Sequence, residues 1–242
     1  PIITNIVGAV SKLAKKTNYH VSIKSICDQI TPATKLIYIA NPNNPTGSYL
    51  TKDQVRELMS KIPDQVIVVL DGAYAEYVNK NDYDEGFSLV EDFENIILTR
   101  TFSKAYGLAG IRLGWCYSSQ KIASILNRVK GPFNTSTLAQ KMALIALQDQ
   151  DHIRMVVRKT KENKEWFENE LDKIGIKFIP SFANFSLIEL TIELANHLAE
   201  ELEKQGIIIR QLNSYNLPNC LRITIGTKEE MEKTINTLKN VL

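Results

Sequence analysis

Three short apolar runs, "KLIYIA" (35–40), "QVIVVLD" (65–71) and "NIILTR" (95–100), are separated by amphipathic stretches. That alternation constrains the fold more than any other feature of the chain. Continuous runs rich in Ile, Val and Leu suit strands buried on both faces, and the intervening 3.6-residue periodicity suits helices laid over them. In "TKDQVRELMSKI", Thr51 and Gln54 have capping-box spacing, and Val55, Leu58, Met59 and Ile62 share one helical face. The same period returns over 119–130 and 137–148, and "RLGWCY" (112–117) reads as a further strand. The pattern predicts an α/β fold with a mostly parallel sheet covered by helices.

After Asp149 the character changes. Residues 152–174 read as one long charged helix carrying Ile153, Val156, Val157, Trp166, Phe167 and Leu171. "ANFSLIEL" (183–190), "GIIIR" (206–210) and "CLRITIGT" (220–227) read as strands. Between them "LANHLAEELEKQ" is a helix ending at Gly206, and Thr227 with Glu230 forms a second capping box before a terminal helix. The expected organisation is a large domain over 1–149 and a smaller α+β domain over 150–242.

Composition narrows the function classes. With 242 residues, 44% of them hydrophobic, the chain can bury a substantial core, and a net charge of +2 advertises neither nucleic acid nor an anionic membrane. No apolar run reaches the ~20 residues that span a bilayer. Cys27, Cys116 and Cys220 lie far apart, with no CxxC pair and no metal-ligand spacing, which fits a reducing, cytoplasmic setting. The expected partners are small molecules, with no metal, nucleic acid or membrane.

Open α/β sheets bind ligands outside the carboxyl ends of their strands. Here those ends read "NPNNPTG", "DGAY" and "TFSK". Taken singly, each has an ordinary explanation. The first could be a turn, Asp71 a helix cap and Lys104 a solvated lysine. Their order and convergence at three strand ends favour a shared site.

These segments, with "TRTFSKAYGLAGIRLGW", "GPFNTSTLAQ" and "LRITIGT", resemble the fold-type I pyridoxal-phosphate aminotransferases, and within them the histidinol-phosphate aminotransferases. The resemblance extends over nearly the whole chain and implies pyridoxal 5'-phosphate as cofactor, with an amino donor and a 2-oxo acid as substrates. It implies that Lys104 bonds covalently to the cofactor aldehyde and later moves a proton at the substrate Cα. Asp71 would pair with the pyridine nitrogen, while Tyr74 and Asn44 would hydrogen-bond the ring's phenolic oxygen. Thr101, Ser103 and Arg112 would hold the cofactor phosphate, with Gly107 and Gly110 letting the backbone turn closely beneath it. Arg222, with Arg210 as a second candidate and Asn44 beside them, would bind the substrate's anionic group. A homodimer is expected from the same resemblance.

Two departures accompany it. Gly72 stands where relatives carry glutamate, which suggests added backbone freedom at that strand end. Relatives also have a further N-terminal segment before the position of Pro1, so this chain is expected to be N-terminally truncated and to hold cofactor weakly. The alternatives are an aromatic-amino-acid aminotransferase or phosphothreonine decarboxylase of the same fold, or a truncated, non-catalytic remnant.

Overall fold

The computed structural model describes residues 2–242, and in it the apolar runs become two four-stranded sheets. In chain order the first part comprises α1 (Ile2–Ile6), α2 (Ile23–Cys27), β1 (Leu36–Ala40), α3 (Lys52–Lys61), β2 (Ile67–Asp71), α4 (Phe87–Asp92), β3 (Ile96–Thr101), β4 (Gly114–Ser118), α5 (Gln120–Val129) and α6 (Thr137–Gln148). The second comprises α7 (Gln150–Lys173), β5 (Lys177–Ile179), β6 (Phe185–Glu189), α8 (Ile192–Lys204), β7 (Arg210–Gln211), β8 (Cys220–Thr224) and α9 (Lys228–Val241).

The first sheet has the order β1-β2-β3-β4, with the first two pairings parallel and β4 antiparallel to β3. Strand alternation sorts its side chains. Ile39, Val68, Leu70, Ile96 and Leu98 are buried with Val55, Leu58, Met59 and Ile62 of the α3 segment and Leu89 and Val90 of α4. The opposite face packs Val69 and Ile97 on Ile122 of α5, and Leu36 and Tyr38 at its β1 end stay exposed. The Thr51–Gln54 capping box is formed as the spacing predicts.

The second sheet, β5-β6-β8-β7, is wholly antiparallel. Its helix-covered face joins Ile188, Leu221 and Ile223 to Phe167 and Leu171 of α7, Leu198 and Leu202 of α8, and Ile235 and Leu238 of α9. The other face, carrying Phe185, Leu187 and Arg222, looks toward the first sheet. Asp149 ends α6 and caps α7 by accepting from the His152 amide at 3.1 Å.

Three local expectations change. "GIIIR" gives only the two-residue β7: Ile207 and Ile209 face the helical core and Ile208 stands outside, as in a strand, but pairing with β8 begins only at Arg210. Strand β5 was not expected, since three residues carry too little pattern to be read. Gly72 takes no left-handed conformation; instead a Cβ there would lie 3.0 Å from Nε of Arg100, so its small size makes room for that buried guanidinium.

Candidate active site

Parallel pairing brings three strand ends to one edge. Ala40 is in register with Asp71, and Asp71 with Thr99, so the segments after β1, β2 and β3 emerge side by side. On these strands Tyr38, Asp71, Thr99 and Thr101 share one face. Arg100, one residue out of phase, points to the other and is buried between Glu76 at 3.5 Å and Glu85 at 3.1 Å.

The loop after β1 is no surface turn. Asn41, Asn43, Thr46 and Ser48 are buried, and Asn43 Nδ2 donates to Thr46 Oγ1 at 2.7 Å while the Asn43 amide donates to the Ser48 carbonyl at 2.7 Å. The Asn41–Pro42 and Asn44–Pro45 peptides are cis. Gly47, at φ +74°, meets Ser181 so closely that a Cβ would lie 2.7 Å from its Cα, so only glycine fits. This winding leaves Asn44 half-buried at the edge, where its Oδ1 accepts from Arg222 Nη1 at 2.6 Å.

Asp71 caps no helix. Its Oδ1 accepts from the Ala73 amide at 3.0 Å and its Oδ2 from the Tyr38 hydroxyl at 2.8 Å. Tyr38 escaped the sequence reading because its partner is 33 residues away, and its place two residues before Ala40 is the signal that could have found it. Partial desolvation of the phenol, with Asp71 beside it, makes it a weaker acid, its pKa rising to about 12. Tyr74 is buried, its ring edge-on to Phe185 at 5.4 Å.

Lys104 follows β3 and is half-buried, its ammonium 5.3 Å from the centre of the Tyr74 ring. Among the described residues it has no carboxylate or hydrogen-bond partner. Ser103 N donates to Thr101 Oγ1 at 3.1 Å, closing a tight loop, and Gly107 turns the chain at φ +69°. Gly110 has no positive φ and no protein atom within 4 Å of where a Cβ would stand.

Not every expected residue converges. Arg112 holds a left-handed backbone, φ 54°, but is exposed and donates from Nη1 to the Ala109 carbonyl at 2.7 Å, within its own loop. Arg222 does reach the edge. Its guanidinium lies 5.0 Å from the Phe185 ring centre, and its Nε is buried without a partner. Arg210 stands directly opposite Arg222 in the β7–β8 ladder and so shares its face, but at the sheet edge its side chain is exposed.

An unpaired amine, an anchored carboxylate, hydroxyls at a loop and a half-satisfied guanidinium fit pyridoxal phosphate: the amine for its aldehyde, the carboxylate for its ring nitrogen. The family profile of class I and II aminotransferases matches residues 4–238. The histidinol-phosphate aminotransferase of Nitrobacter winogradskyi is 41% identical over 245 residues, covering 100% of this chain and 67% of the relative. That of Rhodopseudomonas palustris is 43% identical over 232 residues, covering 95% of this chain and 64% of the relative. The crystal structure of the Sinorhizobium meliloti histidinol-phosphate aminotransferase in complex with pyridoxal 5'-phosphate superposes with a TM-score of 0.90 at 28% identity, covering 97% of this chain and 65% of that one. The chain thus spans about two thirds of the length of the relatives it matches.

Proposed function

Because the chain belongs to the class I and II aminotransferases, pyridoxal-phosphate-dependent enzymes, we propose that it serves in transferring the amino group of histidinol phosphate to 2-oxoglutarate, giving imidazole-acetol phosphate and glutamate in histidine biosynthesis. The observation that carries the substrate is the pairing of Arg210 with Arg222 across β7 and β8. Like charges directly opposite on a sheet face repel, and an anion shared between them removes the penalty. Arg222 Nε–H is itself buried without a partner. A phosphate dianion answers two guanidiniums better than a single carboxylate does.

When bound, pyridoxal phosphate supplies an electron-accepting ring that takes up the charge released at the substrate Cα. The chain's residues prepare this. Lys104 would hold the cofactor covalently, and its amine is the group that would move the proton at the substrate Cα. Asp71 accepts the ring N–H. Asn44 uses Oδ1 for Arg222, leaving Nδ2 to donate to the phenolic oxygen together with the Tyr74 hydroxyl. Thr101, Ser103 and Arg112 would hold the phosphate, Arg112 only on exchanging its bond to the Ala109 carbonyl for it.

We place the working enzyme in the cytoplasm as a homodimer. No helix among the described residues is long and apolar enough to cross a membrane. Helix α6 buries only Ala139 and Ala143 while Leu138, Leu144 and Ile145 stand outward, which suits a subunit contact. We also take Asp149 as the boundary between a cofactor domain and a smaller domain.

The test is a single-turnover panel on the cofactor-loaded protein with histidinol phosphate, phenylalanine and phosphothreonine. The proposal expects the visible cofactor band to bleach with histidinol phosphate alone. A response to phenylalanine assigns an aromatic aminotransferase, carbon dioxide from phosphothreonine a decarboxylase, and no cofactor uptake a non-catalytic remnant.

A further inference from the structure

Tyr38 stands behind Asp71 and has no part in the roles described so far. On β1 its partner in register is Val69, and Asp71 lies two residues further along β2, so the two side chains are diagonal neighbours on one face. That separation is within reach of an aromatic side chain. The Tyr38 hydroxyl donates to Asp71 Oδ2 at 2.8 Å, while the Ala73 amide donates to Oδ1 at 3.0 Å. Each carboxylate oxygen is thereby tied once, which fixes the plane of the group. An ionised carboxylate offers about four lone-pair sites, so acceptor capacity remains for a ligand at the sheet edge.

Packing gives Tyr38 no comparable role. It is 62% exposed, and it belongs to neither buried cluster of the first sheet. What the residue contributes is its hydroxyl. With a pKa raised to about 12, that hydroxyl stays protonated and remains a donor throughout the neutral range.

We infer that Tyr38 is a positioning residue for the cofactor: by holding the Asp71 carboxylate in plane and as an acceptor, its hydroxyl keeps the shared proton on the ring nitrogen. The inference rests on the proposed function, since it needs a pyridine nitrogen at Asp71. Without the hydroxyl, the carboxylate rotates more freely and its charge is less well stabilised. Both changes draw the proton away from the ring.

The experiment loads the protein and its Tyr38→Phe variant with pyridoxal phosphate labelled with nitrogen-15 in the ring and records the ring-nitrogen resonance. Tyr38→Phe keeps the aromatic ring and removes one exposed-side oxygen, so folding is retained, as a melting curve will verify. The expected result is a resonance displaced from the protonated toward the unprotonated pyridine position. Cofactor dissociation is expected to rise about tenfold, the scale of a hydrogen bond to a charged group. Tyr117→Phe, on the opposite face of the sheet, is the control and leaves the resonance in place. A resonance unmoved in Tyr38→Phe overturns the inference, even if the melting temperature falls, and leaves the functional reading standing. A parent protein that takes up no label overturns both.

Discussion

On one face of the first sheet, Ile39, Val68, Leu70, Ile96 and Leu98 disappear under α3 and α4; on the other, one residue out of phase along the same strands, stand Tyr38, Asp71, Thr99 and Thr101. The first face is closed and apolar, and even its arginine, Arg100, is sealed between two glutamates. The second is half-open, and its arginine, Arg222 from the neighbouring sheet, reaches the strand end to donate to Asn44 Oδ1 at 2.6 Å. Period-two alternation thus lets one set of strands carry stability on one side and chemistry on the other. Substitutions on the two sides should then fail in different ways.

The largest effect is expected at the chemical side. Under the proposed function Lys104→Ala should lower turnover by about 10⁴-fold, since one side chain would serve as both nucleophile and proton carrier, while the thermal midpoint barely moves. Loss of the midpoint instead would make Lys104 a structural residue. On the closed side, Leu58, fully buried, gives the converse result. Leu58→Ala should cost about 2–5 kcal/mol in denaturant unfolding, with cofactor affinity per folded molecule unchanged. A change in both would show that the two faces are coupled.

Much of this division was legible in the sequence because it is local. Thr51 with Gln54 and Thr227 with Glu230 are capping boxes in the spacing and in the structure. Asp71 and Lys104 were noticed at the ends of apolar runs, while the roles expected of them came from the family resemblance. Other features depend on partners far along the chain. The bond from Tyr38 to Asp71 requires the register of β1 against β2, and β4 turns antiparallel through a loop whose direction no periodicity records. Arg100 and Arg112 sit in the same motif, and only burial separates the clamp under Gly72 from the free, left-handed residue beyond it. The three isoleucines of "GIIIR" promised a full strand, and they alternate as one, but only Arg210 and Gln211 pair with β8, a matter of partner position that periodicity does not record.

Two smaller effects sharpen the comparison. Arg222→Lys keeps the charge but loses the planar fork, and should raise KM for a phosphate-bearing donor about 10–100-fold, with little change in stability. Initial-rate measurements with phosphorylated and unphosphorylated donors check this, and equal losses for both would remove the phosphate from the assignment.

The smallest effect lies in the helical core of the second sheet. Glu168 accepts from Ser186 Oγ at 2.7 Å, and burial raises its pKa above the usual 4.5. A carboxyl with a raised folded pKa binds its proton more tightly in the folded state. Its stabilising contribution is therefore complete below the unfolded pKa and is lost as pH rises through the folded one. Glu168→Gln, which keeps an acceptor for Ser186, should flatten the fall in urea midpoint on going upward from about pH 4.5. An unchanged profile would place that fall elsewhere.

The central claim is that the carboxyl edge of the first sheet holds pyridoxal phosphate through Lys104. Borohydride reduction of the protein with bound cofactor, followed by proteolysis and mass spectrometry, tests it directly. The account predicts one pyridoxyl-modified peptide, with the modification on Lys104; a modification centred on another lysine, or none at all, would contradict it.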